Sequence, residues 1–359
     1  MGLNKLASFT GSRLFCFKNL PVRMPVQNLD IEAIFESFKN QRILVVGDLM
    51  LDTYLTGKVN RISPEAPVPV LDYLEEENRL GGAGNVALNL ACLGAKPLLC
   101  GFLGQDDAGK TFSRILIDEF LDTDGIMVSH ERRTTVKTRF MAGTQQILRL
   151  DKESRHSLSA AETERLLLTA VRLMDQFEVT GLIFQDYNKG ALTAEVISAL
   201  LEEAKKRNLV VSVDPKLDNF WNYKGVTLFK PNLKEVGEAL QSKVAANIDS
   251  LDEAASKIFQ RICPKLALIT LSENGLFLGD QHFAKVYATK ERTVADVCGA
   301  GDTVIAIAAL AVGAGLPPEE IAMLANMAGG QVVEKKGVEP VNLSQLKAEL
   351  RQHLLEANA

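Results

Sequence analysis

Short apolar segments alternate with longer amphipathic segments along most of this 359-residue chain. Short apolar runs are typical of buried strands, whereas apolar positions spaced three and four residues apart indicate helices. Strands are predicted at residues 43–47, 97–103, 181–184 and 209–213, and helices at residues 83–93, 108–120, 160–177 and 193–207. This alternation predicts an α/β fold in which helices cover both faces of a mainly parallel sheet.

Two stretches interrupt this alternation. Residues 54–74 and 134–150 carry β-branched and aromatic side chains at nearly every second position, which indicates strands of a smaller sheet. Because they are inserted between units of the core, we expect them to form a lid over the carboxyl ends of the core strands, where open α/β sheets bind ligands. We therefore predict one domain over residues 30–350, followed by a short tail at residues 351–359.

The first 29 residues contain basic residues but neither Asp nor Glu. This bias faintly resembles an organelle transit peptide. A short, poorly ordered extension, or a true start at Met24, explains the composition equally well. A helical pattern begins immediately after Asp30, which is a suitable N-cap.

The overall charge is slightly negative, because the chain contains 40 Lys and Arg residues and 45 Asp and Glu residues. This balance argues against a nucleic-acid partner. Every apolar run falls short of the roughly 20 residues that span a bilayer, so we expect a soluble protein with no membrane partner. The five cysteines show neither a CxxC pair nor metal-ligand spacing with histidine, so we expect a reducing, cytoplasmic location without a zinc site.

The segment at Gly299, Ala300, Gly301 and Asp302 directly precedes a predicted helix. A turn of small residues entering a helix exposes backbone N–H groups at the positive end of the helix dipole, which favours anions. A carboxylate beside that anion suits phosphoryl transfer, because it accepts the proton of the attacking hydroxyl group. Taken alone, Asp302 is explained equally well as an acidic residue in the first turn of a helix.

Asn232 and Glu235 lie three residues apart where another helix is predicted to begin. This spacing matches a capping box, which is the simpler interpretation of the pair in isolation. The alternative is that both residues order water around a magnesium ion bound to nucleotide phosphates, because Mg²⁺ retains several waters and few protein ligands.

Two further clusters are candidates for ligand binding. Gly81 and Gly82 precede Asn85 at the start of an apolar helix, where glycines allow a ligand to approach the backbone. Asp48 and Asp52 follow the first strand, and paired carboxylates can bind vicinal sugar hydroxyls or simply form turns. The chain has no GxGxxG segment with its acidic partner, which disfavours dinucleotide-binding enzymes.

Taken together and in this order, these motifs resemble those of the ribokinase-like (PfkB) carbohydrate kinase family over roughly residues 40–345. Gly81 to Asn85 is similar to its N-terminal signature, Asn232 to Glu235 to its NxxE motif, and Asp296 to Asp302 to its C-terminal signature. The resemblance implies a ribokinase-like three-layer core with a small β lid, and an ATP-dependent kinase that uses Mg²⁺. It adds K⁺ as a further candidate ion and a homodimer formed through the lid.

Within the family, residues 47–70, 186–190 and 214–216 are similar to segments of the D-glycero-D-manno-heptose 7-phosphate kinases. These enzymes phosphorylate the anomeric hydroxyl of a precursor of ADP-heptose and lipopolysaccharide. Some members carry a fused nucleotidyltransferase, and since this chain ends at Ala359 we expect only the kinase half. A kinase of ribose, fructose or a nucleoside is the alternative, followed by a sugar sensor without catalysis.

The resemblance also implies a role for each motif residue. Asp302 is the expected base, and the backbone of Gly299, Ala300 and Gly301 forms the expected anion hole. Glu235 is expected to bind magnesium through water, and the residues expected to contact the nucleotide are Asn232, Glu235, Thr270, Ser272, Gly275 and Asn326. Those expected to contact the sugar phosphate are Asp48, Asp52, Arg61, Gly81, Gly82, Asn85, Lys137, Arg139, Asp186 and Lys189. The cations Arg61, Lys137, Arg139 and Lys189 are the candidates for its phosphate group, and Lys189 is the best of them because it lies just beyond a core strand. One departure is Cys298, where the family often has Thr, and its thiol could confer sensitivity to oxidation.

Overall fold

The computed structural model describes residues 30–357, so the extension predicted at residues 1–29 lies outside the described part of the chain. The strands are β1 Arg42–Gly47, β2 Leu49–Ile62, β3 Pro69–Gly82, β4 Lys96–Gly104, β5 Ile126–Ser129, β6 Thr135–Ala142, β7 Gln145–Lys152, β8 Gly181–Gln185, β9 Val210–Asp214, β10 Leu228–Phe229, β11 Leu266–Thr270, β12 Leu276–Gly279 and β13 Ala284–Tyr287. The helices are α1 Ile31–Lys39, α2 Ala83–Cys92, α3 Asp107–Asp118, α4 Ala160–Gln176, α5 Ala194–Lys206, α6 Leu233–Leu240, α7 Ile248–Arg261, α8 Ala300–Gly313, α9 Pro318–Val333 and α10 Leu343–Ala357.

Nine of the described strands form one sheet in the order β13-β12-β11-β10-β9-β8-β1-β4-β5. The strands from β11 to β5 pair in parallel, while β12 and β13 add an antiparallel edge. The carboxyl ends of the parallel strands therefore meet along one edge of the sheet. This arrangement confirms the predicted α/β class with a mainly parallel sheet.

Two apolar cores lie on opposite faces of this sheet. Helices α1, α2, α3, α8, α9 and α10 contribute to one core, and α4, α5 and α7 contribute to the other. Helix α8 is almost entirely apolar beyond its first turn and is buried along most of its length, as expected for a helix packed on several sides. Its N-terminus is consequently held in a fixed position beside the sheet.

The second sheet has the strand order β3-β2-β6-β7 within the described residues. Strand β2 pairs antiparallel with β3 and parallel with β6. Strand β2 begins earlier than the sequence pattern indicates, at Leu49, and β3 and β7 extend beyond the predicted ends to Gly82 and Lys152. Asp52 accordingly lies inside a strand of the small sheet, opposite Lys137, instead of in a loop after β1.

Local capping signals agree closely with the structure. Asp30 caps α1, and Ser159 forms a capping box with Glu162 at the start of α4. Residues 351–357 were predicted to form a short tail after the domain, but in the structure they continue helix α10. None of the described helices combines the length and hydropathy that crossing a membrane requires.

Candidate active site

Polar side chains follow five neighbouring strands at the carboxyl edge of the large sheet. Asp48 follows β1, Gln185 ends β8, Asp214 ends β9, Lys230 follows β10 and Thr270 ends β11. Asp48, Gln185, Asp214 and Lys230 are all buried. Buried polar groups collected at this edge are typical of a ligand site in an open α/β sheet.

The N-terminus of α8 faces this row of polar groups. Gly299 has a φ of +79°, and a Cβ atom at that position would lie 2.8 Å from Asn85 Nδ2. A Cβ atom on Gly301 would lie 3.7 Å from both Asp214 Oδ2 and Lys230 Nζ. The positive φ and the close approach explain why glycine is needed at 299. The Ala300 N–H donates to the Val297 carbonyl oxygen at 3.4 Å. The anion site predicted at this helix end remains a prediction, which the positive end of the helix dipole favours.

Asp302 is buried in the first turn of α8, and three side chains donate hydrogen bonds to its carboxylate. Asn85 Nδ2 donates to Oδ2 at 2.8 Å. Gln185 Nε2 and the Tyr187 hydroxyl donate to Oδ1 at 2.9 Å and 2.7 Å. These bonds come from α2, β8 and the loop after β8, so the base candidate is fixed from three directions.

Burial raises the pKa of Asp302 to about 6, although the hydrogen bonds from Asn85 and Tyr187 lower it. Asp214 raises this pKa further, and Lys230 opposes the increase. A carboxylate with a pKa close to the working pH is an effective proton acceptor that is still largely ionised. The environment therefore suits the role of general base.

Tyr187 links this carboxylate to two lysines. Lys137 Nζ lies 4.7 Å and Lys216 Nζ 5.3 Å from the centroid of its ring, within the range of cation–π contacts. Burial and the nearby carboxylates, Asp302 among them, raise the pKa of the Tyr187 phenol well above its ordinary value. The phenol therefore stays protonated and remains a hydrogen-bond donor.

A cluster of lysines and carboxylates continues toward α6. Lys230 Nζ lies 3.0 Å from Asp214 Oδ2, and Lys216 is ion-paired with Glu235 and lies 3.8 Å from Asp214. Burial alone would favour the neutral amine of Lys216, but Asp214 and Glu235 raise its pKa above the ordinary value. Lys216 and Lys230 thus lie beside the N-terminus of α8, where lysine side chains favour phosphate groups.

Asn232 and Glu235 form the capping box at the start of α6. Glu235 N–H donates to Asn232 Oδ1 at 2.9 Å, and Asn232 N–H donates to Glu235 Oε2 at 2.8 Å. Burial and the neighbouring Asp214 raise the pKa of Glu235. The described residues contain no group of three or more His, Cys, Asp or Glu side chains that would hold a metal directly. Both Glu235 carboxylate oxygens have protein partners, Lys216 and the Asn232 N–H. A carboxylate held in this way is suited to contact with a hydrated magnesium ion and not to direct coordination of the metal.

A cavity of about 700 Å³ opens beside this capping box. Its walls include Asn232 and the loop after α6, together with Thr270 and Ser272. Its volume is typical of sites for small molecules and cofactors. The structure thus brings together four of the residues predicted to contact the nucleotide: Asn232, Glu235, Thr270 and Ser272.

Gly275 and Asn326 both contact the segment after β13. A Cβ atom on Gly275, whose φ is +90°, would lie 2.1 Å from the Tyr287 carbonyl oxygen. Asn326 Nδ2 donates to the carbonyl oxygens of Tyr287 and Ala288 at 3.1 Å and 3.3 Å. These two residues therefore hold the backbone of this segment in place.

Asp52 forms a buried ion pair with Arg139, which also lies over the Tyr54 ring at 5.2 Å. A Cβ atom on Gly81 would lie 2.0 Å from Asp52 Oδ2, so glycine is required at that position. Gly82, with a φ of +56°, allows the chain to turn from β3 into α2. The ion pair between Asp52 and Arg139 connects β2 with β6 and so holds these two strands of the small sheet together.

Asp48 holds the loop after β8. Its carboxylate accepts hydrogen bonds from the N–H groups of Tyr187, Lys189 and Ala191 at 2.8 Å, 3.1 Å and 3.2 Å. Both carboxylate oxygens are thus engaged by the backbone. This geometry gives Asp48 a role in shaping the loop that carries Tyr187.

Asp186 is engaged in a similar way. The Tyr223 hydroxyl donates to Oδ2 at 2.7 Å, with Asn219 Nδ2 at 3.1 Å, and Asn188 N–H donates to Oδ1 at 2.9 Å. Burial and the nearby Asp48 raise the pKa of Asp186 to about 6. Its carboxylate therefore supports the loop whose next residue, Tyr187, donates a hydrogen bond to Asp302.

The four cations predicted to bind the substrate phosphate differ in their surroundings. Arg139 is paired with Asp52, Lys189 Nζ lies 2.7 Å from Glu153, and the exposed Arg61 lies 3.7 Å from Asp72. Arg61 follows Asp52 by nine positions along β2, about 30 Å of strand, which places Arg61 away from the polar groups of this site. Among residues 30–357, Lys137 has no ion-pair partner, so it is the cation available to a ligand.

Burial raises the pKa of the Cys298 thiol to about 11. Thiolates, and not protonated thiols, react readily with oxidants. The environment of Cys298 therefore argues against the sensitivity to oxidation that the sequence alone suggested.

Five residues of the site received no individual role in the sequence analysis, although a signal was present for each. They are Gln185, Tyr187, Asp214, Lys216 and Lys230. Gln185, Asp214 and Lys230 end or follow parallel strands, so the strand-end argument used for Asp48 applies to them as well. Tyr187 and Lys216 lie within two residues of those positions.

Comparison with known proteins agrees with this geometry. The model of the pfkB family of carbohydrate kinases matches residues 40–345. The chain belongs to this family. It is also 44% identical to the "Bifunctional protein HldE" of Pelobacter propionicus over 87% of this chain and 63% of that protein. The protein of the same name from Caulobacter vibrioides is 41% identical over 87% and 64%, so the chain spans about two thirds of the length of these relatives.

Solved structures share the fold. Phosphofructokinase-2 from Escherichia coli, in complex with potassium, matches with a TM-score of 0.72 at 19% identity, covering 88% of this chain and 99% of that one. Arabidopsis thaliana ribokinase, complexed with ribose and ATP, matches with a TM-score of 0.65 at 19% identity, covering 86% and 98%. These matches confirm the predicted ribokinase-like architecture.

Proposed function

We propose that this chain transfers the γ-phosphoryl group of ATP to the anomeric hydroxyl of D-glycero-D-manno-heptose 7-phosphate, giving the 1,7-bisphosphate. The observation that carries the phosphoryl-transfer step is the buried Asp302 carboxylate, fixed by three donors at the anion-binding N-terminus of α8. Family membership and the likeness to the two HldE proteins support a sugar substrate of this class.

In this reaction Asp302 accepts the proton of the anomeric hydroxyl as its oxygen attacks the γ-phosphorus. The bond between that phosphorus and the β,γ-bridging oxygen breaks, and ADP leaves with the electron pair. Backbone N–H groups of Gly299, Ala300 and Gly301 stabilise the charge on the transferred group. Lys216 and Lys230 lie beside this helix end and add positive charge there.

The nucleotide is proposed to occupy the cavity lined by Asn232, Thr270 and Ser272. Gly275 and Asn326, which contact the segment after β13, would lie beside the adenine ring of the nucleotide. Magnesium would neutralise phosphate charge, with Glu235 and Asn232 holding its water ligands. Because ATP is the phosphoryl donor, we place the reaction in the cytoplasm. K⁺ remains a further candidate ion.

For the sugar phosphate, Lys137 is the proposed phosphate-binding cation. It lies on β6, over the ring of Tyr187, and burial lowers its pKa while Asp52 and Asp302 raise it. Asp52 and Asp302 offset only part of the cost of burying the Lys137 ammonium group. A phosphate group would form a direct charge-assisted hydrogen bond with it. Asp48 and Asp186 hold the loop after β8, and Asn85 donates a hydrogen bond to the catalytic base Asp302. These three residues therefore act on the sugar indirectly.

The small sheet is proposed to mediate a homodimer. Large apolar side chains are exposed along its strands and in the loop between β2 and β3: Ile62, Val68, Tyr73, Leu74, Ile147, Leu148 and Leu150. Apolar groups clustered on one exposed sheet are typical of protein interfaces. A second copy of the chain would cover them by pairing sheet on sheet.

ADP release by the purified protein with ATP and Mg²⁺ tests the proposed substrate. Heptose 7-phosphate is compared with ribose, fructose and fructose 6-phosphate. We expect the largest kcat/KM with heptose 7-phosphate. A preference for another of these sugars would overturn the substrate, and turnover of none of them would overturn the kinase activity.

A further inference from the structure

We propose that Tyr187 is a positioning residue for the base: its phenol fixes the Asp302 carboxyl group and stabilises its ionised form, leaving Oδ2 to accept the substrate proton. The proposal rests on the role of Asp302 in the proposed function. It concerns a residue of the loop after β8 that contacts the base directly.

The donors around Asp302 are distributed unequally between its two oxygens. Oδ1 accepts from Gln185 and Tyr187, whereas Oδ2 accepts from Asn85 alone. A carboxylate oxygen has roughly two lone-pair sites, so Oδ1 is saturated and Oδ2 keeps one site free. Oδ2 is therefore the oxygen that can accept a hydrogen bond from the substrate hydroxyl.

The phenol is itself fixed from both sheets. Lys137 reaches the ring from β6 of the small sheet, and Lys216 reaches it from the segment after β9 of the large sheet. Asp48 accepts hydrogen bonds from the backbone of Tyr187 and Lys189 and so holds the loop. The orientation of the base thus depends on contacts between the two sheets.

Other charged groups that act on Asp302 are few within the described residues. Asp214 from β9 and Lys230 after β10 act on it with opposite sign, and Lys137 and Lys216 add positive charge. Tyr187→Phe leaves all four in place and keeps the ring between the lysines. The substitution consequently removes one hydrogen bond and little else.

Tyr223 offers a matched control, because its phenol donates a hydrogen bond of the same 2.7 Å length to Asp186. The experiment compares Tyr187→Phe with Tyr223→Phe in protein labelled with ¹³C at the aspartate carboxyl carbons. Asp302→Asn and Asp186→Asn assign the two resonances. The carboxyl shifts are titrated between pH 4 and pH 9 without substrate, and kcat is measured over the same range, with thermal unfolding recorded to show that each variant is folded.

We expect Tyr187→Phe to raise the Asp302 midpoint by about one pH unit, since a hydrogen bond to a charged group stabilises it by about that amount. The Asp186 midpoint should stay unchanged, and Tyr223→Phe should show the reverse pattern. The acidic limb of kcat should move with the Asp302 midpoint, and kcat at its optimum should fall roughly tenfold, with little change in the KM for ATP.

An Asp302 midpoint that is the same in wild type and Tyr187→Phe would overturn the proposal. The titration needs no turnover, so it decides the role of Tyr187 even when the sugar panel shows that the proposed substrate is wrong. A shifted midpoint with an unchanged kcat profile would also overturn it, because the hydrogen bond would then have no effect on the base during catalysis.

Discussion

Asn85 Nδ2 donates a 2.8 Å hydrogen bond to Asp302 Oδ2, although 217 residues separate the two along the chain. Asn85 also accepts from Asn89, whose own side chain accepts from the Thr303 hydroxyl. The first turns of α2 and α8 are therefore joined by side-chain hydrogen bonds. This connection explains why the N-terminal and C-terminal motifs of the sequence act as a single site.

The pH dependence of turnover follows from the burial of Asp302. Because burial raises its pKa to about 6, protonation below that pH removes the proton acceptor. We expect kcat to fall about tenfold for each pH unit below 6, measured by ADP release between pH 5 and pH 8. An acidic limb near pH 4, the ordinary range of an aspartate, would contradict the assigned environment.

The ion pair between Asp52 and Arg139 contributes to stability because both side chains are buried. Asp52→Asn leaves the guanidinium group buried without its counterion, and breaking such a pair costs about 3–5 kcal/mol. We expect that loss in the free energy of unfolding, measured with urea.

The exposed pair of Arg61 and Asp72 supplies the control for this measurement. Arg61→Gln should change the free energy of unfolding by about 0–1 kcal/mol, as is usual for surface pairs. Equal losses in the two variants would show that burial of the Asp52 pair has no energetic consequence.

Lys137 is predicted to bind the phosphate of the sugar. Lys137→Gln should raise the KM for heptose 7-phosphate roughly tenfold or more, since a hydrogen bond to a charged group contributes about 1.5–3 kcal/mol. The KM for ATP should change much less, and Arg61→Gln should leave both values near wild type. An increase confined to the Arg61 variant would mean that an arginine outside the described site binds the phosphate.

The oligomeric state tests the role of the small sheet. Leu148→Glu combined with Leu150→Glu places two charges among its exposed apolar side chains and should convert a dimer into a monomer in sedimentation experiments. Leu168→Glu, at an exposed position on α4, is the control and should leave the dimer intact. A wild-type monomer, or a dimer in all three proteins, would rule out this interface.

Much of the fold could be predicted from local signals. The capping boxes of Ser159 with Glu162 and of Asn232 with Glu235 define helix starts, and short apolar runs locate the parallel strands. These signals depend on neighbours within four residues, so the sequence carries them directly. The boundary at Leu49 was missed because β2 follows β1 after a single residue, without a turn signal.

The site was harder to predict because its chemistry depends on contacts between distant segments. The sequence identified Asp302 and Asn85 but did not show that Asn85 binds the base. It placed Arg139 among the phosphate ligands, whereas the structure pairs that side chain with Asp52. Tyr187 lies in a segment that the sequence analysis singled out without assigning it a role, and its hydrogen bond to Asp302 in the folded chain indicates one.

The most direct test of the central claim is the kcat of Asp302→Asn with ATP, Mg²⁺ and heptose 7-phosphate. Asparagine keeps the shape of the side chain but cannot accept the proton, so we predict a loss of about 10²–10⁴-fold with the fold retained. Asp175→Asn, which removes an exposed carboxylate paired with Arg207, should retain wild-type turnover. An Asp302→Asn variant within a few-fold of wild type would contradict the assignment of Asp302 as the base.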